Sequence, residues 1–523
     1  MCVCPKTETD ELSICLIYPR FEPSHYDFSH ALEVYPGKKR CQMIVGSLPT
    51  LAGLIDRRHK VTLLDENLED IDYDEMDSYD IVGVTGMIVQ EERMREILAE
   101  LKNHDTLVVV GGPLNSCDET LFRDLCDVSF VGEADETWPE FVEHYARTKT
   151  YQKRYKQEHF SDLTKLPMPR YDLVDPSRYV SIPLQFSRGC PFLCEFCDIT
   201  ILFGRNPRVK KPEQFIAEID AVYQQGFRVC FVVDDNFIGK KREAKAILKH
   251  LIEWQKAHDY PMNFSTEASV NLADDDEMMD LMVEAGFTQI FIGIESPRKA
   301  SLEETRKFQN VRGDSLLEKI RRVNSRGLIV LGGFIVGFDE DDKTIFDDQF
   351  DFITEAEIGL PIIGILKPIP TTPLHKRLEQ EGRLRPEDSY CAFEPKRMSR
   401  QELKDGHMAL MKRVYAPDHF FERILASYRR YPQFKQIRSR INRRTKTGRI
   451  LRRHTLTLII VCRLFLRVHK EGYARVLIPA YWRAWRQNQR IGKGAIPASG
   501  FVDLCLKHWH VYKLAHETQI KSF

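Results

Sequence analysis

The chain has 523 residues, 43% hydrophobic and 29% charged, with 28 Gly and 26 Pro. That usage excludes collagen-like, low-complexity and wholly disordered chains, and at about 150 residues per domain it predicts roughly three domains. The net charge of −1 is a cancellation: residues 400–523 hold 27 Lys+Arg against 7 Asp+Glu, about +20, which leaves about −21 on residues 1–399.

Residues 12–145 alternate strand with helix. Strands are predicted at 12–18, 60–65, 81–85, 106–111 and 128–131, with helices such as 91–103 between them. This is the rhythm of an open parallel sheet, so 1–150 reads as a Rossmann-like α/β domain. Ligands of such sheets sit outside the carboxyl ends of the strands. Those ends carry Asp65-Glu66, Thr85-Gly86, Gly111-Gly112-Pro113 and Gly132-Glu133. One such glycine is a turn; four strand ends on one rim, open to close backbone approach, make a candidate cofactor site. Residues 151–183 are polar, basic and punctuated by proline, as in a linker. A second βα series fills 184–385, with strands at 184–187, 228–234, 263–267, 289–295, 328–336 and 362–368. Six units predict a partial (β/α)6 TIM-type barrel with its chemistry at the C-terminal strand ends. Residues 386–523 read as a basic helical domain. No run of about 18 uncharged apolar residues occurs, and the N-terminus lacks a secretory signal pattern, which predicts a cytoplasmic chain.

The 13 cysteines are scattered except for one cluster after the first barrel strand, Ser187-Arg188-Gly189-Cys190-Pro191-Phe192-Leu193-Cys194-Glu195-Phe196-Cys197. In a reducing compartment such spacing points to metal or redox chemistry rather than disulfides. Three thiolates on one loop wrap one centre. A structural zinc needs a fourth ligand, and the nearest candidate, Cys230, falls inside a predicted buried strand. A four-iron cluster on three cysteines leaves one iron open for a substrate.

This Cys-x3-Cys-x2-Cys loop resembles the hallmark of the radical S-adenosylmethionine enzymes. The resemblance implies a 4Fe-4S cluster on Cys190, Cys194 and Cys197, with S-adenosylmethionine on the open iron yielding a 5'-deoxyadenosyl radical. Phe196 then stands where the family keeps an aromatic against adenine. Asp234 or Asp235 replaces the Gly-Gly-Glu-type acceptor for the methionine ammonium, and Glu267 is placed to accept from ribose hydroxyls. Gly333-Phe334-Ile335-Val336-Gly337 fits a segment that packs against adenine, through Ile335 and Gly337. Glu295 points from a strand end into the mouth. Each carboxylate alone could be a helix cap or an ion-pair partner; their joint position after the cysteine loop makes the case. Pro370-Thr371-Thr372-Pro373-Leu374-His375 resembles a barrel-closing segment of cobalamin-associated members, and reads otherwise as a rigid turn with His375 at a hinge or surface.

The N-terminal domain resembles the cobalamin-binding domain of the class that joins both cofactors, which places cobalamin against Asp65, Glu66, Thr85, Gly86, Gly111, Gly112, Pro113, Gly132 and Glu133. The usual Asp-x-His-x-x-Gly signature is missing, so no protein imidazole would ligate cobalt; a degenerate domain without cobalamin is the alternative. The motifs of residues 1–385 look like the branch containing the hopanoid C-2 methyltransferase. That implies methylation of an unactivated carbon of a lipid-like or natural-product substrate, using the radical and methylcobalamin, with no general acid or base. A non-methylating ring-forming or rearrangement enzyme, or a cobalamin/iron-sulfur regulator, are the rivals. Expected partners are a small-molecule or lipid substrate and an electron donor such as flavodoxin or ferredoxin. The basic region, with Leu456 to Leu466 and Tyr481-Trp482-Arg483, suits a helix on an anionic membrane, giving a cytoplasmic protein peripheral at the inner face. It suits equally a cap docked on the acidic remainder, while nucleic acid is the least favoured partner.

Overall fold

The central strands of the N-terminal half, Ser13–Tyr18, Ile81–Thr85 and Leu107–Gly111, run apolar without alternation because both faces are covered, while the edge strand Lys60–Asp65 turns Lys60 and Thr62 outward. In β1 (Ser13–Tyr18), Ile14, Leu16 and Tyr18 enter one core while Cys15 and Ile17 enter another. The structure, a computed structural model, describes residues 10–434, 447–492 and 496–517 apart from Tyr26 and Lys39, with backbone alone over 447–454. Two units form: one takes in the chain up to Glu22 and Ile44–Pro176, the other Pro23–Met43 and the chain from Ser177 on.

In the first unit β1 is joined by β2 (Lys60–Asp65), β3 (Ile81–Thr85), β4 (Leu107–Gly111), β5 (Val128–Val131) and β6 (Arg154–Lys156). All pair parallel, in the order β2-β1-β3-β4-β5-β6. The direction of strand addition reverses between β1 and β3, which opens a crevice at their carboxyl ends. The five expected strands are present. The sixth lies in the stretch that read as a linker: it is three residues of Arg-Tyr-Lys, too short and polar to signal itself.

The second unit holds β7 (Ile182–Leu184), β10 (Val229–Val232), β11 (Asn263–Glu267), β12 (Phe287–Glu295), β13 (Ile329–Val336) and β14 (Pro361–Ile365), parallel and in sequential order. That is the topology of a partial barrel, and the α/β class expected from the sequence is borne out. The first strand lies earlier than the expected 184–187. Asp234 accepts the Phe186 N–H and draws the chain out of the sheet, and Ser187–Arg188 (β8) pairs instead with Arg208–Val209 (β9) as an antiparallel ribbon. The last strand stops at Ile365, before Pro368, which has no N–H for a ladder.

Helices Arg400–Val414 and Pro417–Arg430 seal the β14 edge. Ser399 and Glu402 form a reciprocal N-terminal cap. His407 donates from Nε2 to the Ile363 carbonyl (3.0 Å) and accepts from the Tyr390 hydroxyl (2.7 Å), while Arg423 donates to the carbonyls of Ile358 and Val414. Arg413 and Arg430 pair with Asp347 and Glu357 of the barrel. This part of the basic region therefore spends its charge within the molecule. Three further helices, Thr447–Lys470, Ala474–Arg490 and Ala498–Glu517, complete the unit. No helix among the described residues is long and apolar enough to cross a membrane.

Candidate active site

The cysteine loop leaves β7 at the carboxyl end of the barrel and is fixed at both ends by groups whose own positions the strands dictate. Asp234, buried just past β10, takes the Phe186 N–H on Oδ1 (2.8 Å) and the Ser187 hydroxyl on Oδ2 (2.6 Å). Asp235 takes the Gly189 N–H on Oδ2 (2.7 Å). Gly189 has φ +101°, and a Cβ there would lie 2.9 Å from the Gly204 carbonyl oxygen, the same atom that accepts the Cys190 N–H (3.2 Å). Only glycine fits. Farther along, Glu195 donates its N–H to Thr305 and accepts that of Leu374, and its carboxylate holds Arg377 through Nε and Nη2 (2.8 and 3.0 Å). The 370–375 segment thus closes onto the cysteine loop, with Thr372 capping the Pro373–Gln380 helix and His375 contributing only its backbone to that cap.

Three groups absent from the sequence expectations surround the thiols. Gln309 directs Nε2–H to Cys194 Sγ (3.5 Å) and Asn236 directs Nδ2–H to Cys190 Sγ (3.9 Å). Lys307 pairs with Glu295 and lies 5.7 Å from the Phe196 ring centroid. Burial raises the pKa of Cys190 and Cys197. Amide donors and an ammonium favour the thiolate against that burial, as a cluster of net negative charge requires. Among the described residues no three His, Cys, Asp or Glu side chains converge on an ion-sized point.

The carboxylates divide by what they already hold. Burial pushes Asp234 up to about 7, Asp235 to about 6 and Glu267 to about 7. Asp234 is spent on the loop. Asp235 keeps Oδ1, and the Glu267 carboxylate has no hydrogen-bond partner among the described residues, so both offer acceptors for a cofactor's ammonium or hydroxyls. Glu295 sits at φ +65° where β12 slips register against β13, a left-handed residue held by the lysine pair. A cavity of about 220 Å³ opens beside it, lined by Phe196, Phe291, Gly333, Ile335, Leu366 and Lys367 among others. Phe196 and Ile335 therefore share one apolar wall. Gly337 does not line it: its Cβ would meet Leu403 at 2.9 Å, so this glycine admits the Arg400–Val414 helix instead.

On the first unit's rim, Gly112 has φ +96° and a Cβ there would lie 2.4 Å from Thr85 Oγ1, while one on Gly86 would lie 2.7 Å from Met94 Sδ. Gly112 lets the end of β4 close on that of β3, and Gly86 admits Met94 of the Glu91–Leu101 helix; with Gly111 and Pro113 they leave backbone rather than side chain at the edge. That edge fits the close approach of a flat or nucleotide-bearing cofactor. The acids there are engaged internally. Asp65 accepts from Asn67, Glu66 holds Arg93 through Nε (2.9 Å), and Glu133 accepts the Ser161 N–H (2.6 Å) beyond Gly132.

Asn236 and Arg377 stood beside motifs already singled out in the sequence, but a lone amide or guanidinium next to a motif carries no spacing signal. Lys307 and Gln309 lie on the segment after β12, where nothing in the pattern marks them.

Residues 184–351 match the family model of the radical SAM superfamily, and 372–519 match a domain of unknown function, DUF4070. An uncharacterized methyltransferase of Synechocystis is 43% identical, over 71% of this chain and 68% of its own length. The hopanoid C-2 methylase of Rhodopseudomonas palustris is 33% identical, over 86% of this chain and 87% of its own. Among solved structures, the cobalamin-dependent S-adenosylmethionine radical enzyme OxsB shares the fold with TM-score 0.60 at 16% identity, covering 97% of this chain and 84% of that one. The chain belongs to the radical S-adenosylmethionine superfamily, among the methyltransferases that include the hopanoid C-2 methylase.

Proposed function

We propose that the protein methylates an unactivated carbon of a lipid-like substrate. A 4Fe-4S cluster on Cys190, Cys194 and Cys197, S-adenosylmethionine in the barrel mouth and cobalamin at the first unit's strand ends would serve the reaction. Bound there, these groups supply a 5'-deoxyadenosyl radical for hydrogen abstraction and a carrier for the methyl group. The chain's own residues bind and orient. Asp235 and Glu267 accept from the ammonium and ribose, Phe196 and Ile335 pack the adenine, and Gln309, Asn236 and Lys307 stabilise charge on the sulfurs. No proton transfer by a side chain is required for abstraction of a hydrogen atom. The electron comes from a reduced flavodoxin or ferredoxin, and the enzyme works at the inner face of the membrane.

The observation that carries this reading is the cysteine loop with amide N–H groups aimed at two of its sulfurs, beside an apolar cavity walled by Phe196. The hopanoid C-2 methylase supports a lipid substrate, since 33% of the aligned residues are identical over most of both chains. The test is anaerobic reconstitution with iron, sulfide and hydroxocobalamin. 5'-Deoxyadenosine and S-adenosylhomocysteine are then measured under reduction, with Cys194→Ala as control. Both products, with 5'-deoxyadenosine lost in the control, are expected. 5'-Deoxyadenosine alone would shift the reading to ring formation or rearrangement, and neither product would end it.

A further inference from the structure

The Thr447–Lys470 helix buries Ile460, Leu464 and Val468, one turn apart on one face. A surface helix ordinarily turns polar residues outward from such a stripe. Here the outward face is apolar too: Leu458 is 66% exposed and Leu466 69%, with Ile459, Cys462 and Phe465 exposed between them. The following helix, Ala474–Arg490, buries Leu477, Tyr481 and Ala484 and turns out Arg475, Trp482, Arg486 and Arg490. Trp482 is 56% exposed, and the Arg486 guanidinium lies 5.1 Å from its ring centroid. Arg475, Arg486 and Arg490 have no carboxylate partner among the described residues.

We infer that these two helices dock the enzyme on a bilayer surface containing anionic phospholipid, with Leu458, Ile459, Phe465 and Leu466 entering the boundary between headgroups and acyl chains. The chemistry matches on both counts. An exposed aliphatic stripe gains by leaving water at that depth, and unpaired arginines beside an exposed tryptophan meet the phosphates. The helix lies on the membrane and does not cross it. A second copy of this chain is a poorer occupant, because it would bring the same arginine-rich helices together like against like. The inference deepens the lipid-substrate reading and rests on it for its purpose: docking would deliver a bilayer-resident substrate to the enzyme.

The test is co-sedimentation of the full chain with phosphatidylcholine vesicles, with and without phosphatidylglycerol, and with no other substrate present. It can therefore fail while methylation stands, and the reverse. The wild type is expected to bind phosphatidylglycerol vesicles about tenfold or more tightly than neutral ones, and to weaken with salt. Leu458→Glu/Leu466→Glu should lose about tenfold or more of that binding with its circular dichroism unchanged, since both positions already face solvent. Arg486→Gln/Arg490→Gln should lose the preference for phosphatidylglycerol and keep residual binding. No vesicle binding by the wild type, or equal binding by the leucine variant, overturns the proposal. So does a wild-type dimer that the leucine variant splits without any vesicle affinity, which would make the face a subunit interface.

Discussion

At single residues, the site is tuned by groups that touch sulfur without ligating it. Gln309 Nε2–H points at Cys194 Sγ from 3.5 Å. A donor to sulfur stabilises the more negative, reduced state of a cluster, so losing it makes reduction harder. One neutral hydrogen bond is worth about 1 kcal/mol, or on the order of 40 mV for a one-electron couple. Gln309→Leu should therefore lower the midpoint potential of the reconstituted cluster by that amount in a redox titration followed by electron paramagnetic resonance, with iron content unchanged. A potential equal to wild type would leave Gln309 a packing residue. The cysteines were legible in the sequence because three thiols at fixed spacing have few other uses. The internal partners of Asp65, Glu66 and Glu133 were not, because a strand-end carboxylate looks the same in sequence whether or not it holds Asn67, Arg93 or the Ser161 N–H.

Between elements, the Pro373–Gln380 helix acts as a clasp on the cysteine loop. Arg377 joins Glu195 to Asp339 beyond β13, and Asp339 also holds Arg383 and Lys396. Those cations hold the Asp339 carboxyl well below its usual range despite burial. Removing Arg377 leaves Asp339 two partners and Glu195 none of its bidentate pair. Hydrogen bonds to a charged group are worth about 1.5–3 kcal/mol. Arg377→Ala should accordingly lower hydrogen-exchange protection at the Leu374 and Glu195 amides by about thirtyfold, the equivalent of about 2 kcal/mol, and reduce iron retained per chain. Arg377→Lys should recover only part of this, since an ammonium cannot present the planar fork. Unchanged protection in Arg377→Ala would remove the clasp. At this scale the sequence revealed long apolar strands well. It missed what tertiary contacts decide: the early end of β7, which Asp234 imposes, and the three-residue β6, which exists because β5 offers it an edge.

Across the second unit, burial perturbs two sets of titrating groups. Carboxylates with raised pKa include Asp234, Asp235 and Glu267 at the barrel mouth, Glu304 and Asp341 at the turn after β13, and Asp27, which faces His510. Buried histidines with lowered pKa include His25 and, on the C-terminal helices, His407, His508 and His510; desolvation holds His407 at about 4 and the other three at about 3. The two sets have opposite signs. A carboxyl whose folded pKa is raised stabilises at low pH and loses that contribution as pH rises through about 6 to 7. A histidine whose folded pKa is lowered contributes fully above the unfolded value of about 6.5 and loses it as pH falls. Bulk unfolding mixes the two and reports a shallow slope, so the histidine effect has to be read locally. His508 is the cleanest case: fully buried, it donates from Nε2 to the Tyr415 carbonyl (3.1 Å) and meets at Nδ1 the Tyr481 hydroxyl (3.0 Å), which also donates to the Cys505 carbonyl, and charging the ring there carries the full cost of desolvation. Hydrogen-exchange protection of the Pro417–Arg430 and Ala498–Glu517 helices should therefore fall between pH 6.5 and 5 while that of β12 and β13 does not. His508→Gln keeps a donor for Tyr415 and cannot charge, so it should flatten the fall in the helices by about 1.4 kcal/mol per pH unit, the slope of one proton. An unaltered slope in that variant would place the acid-sensitive step at another histidine.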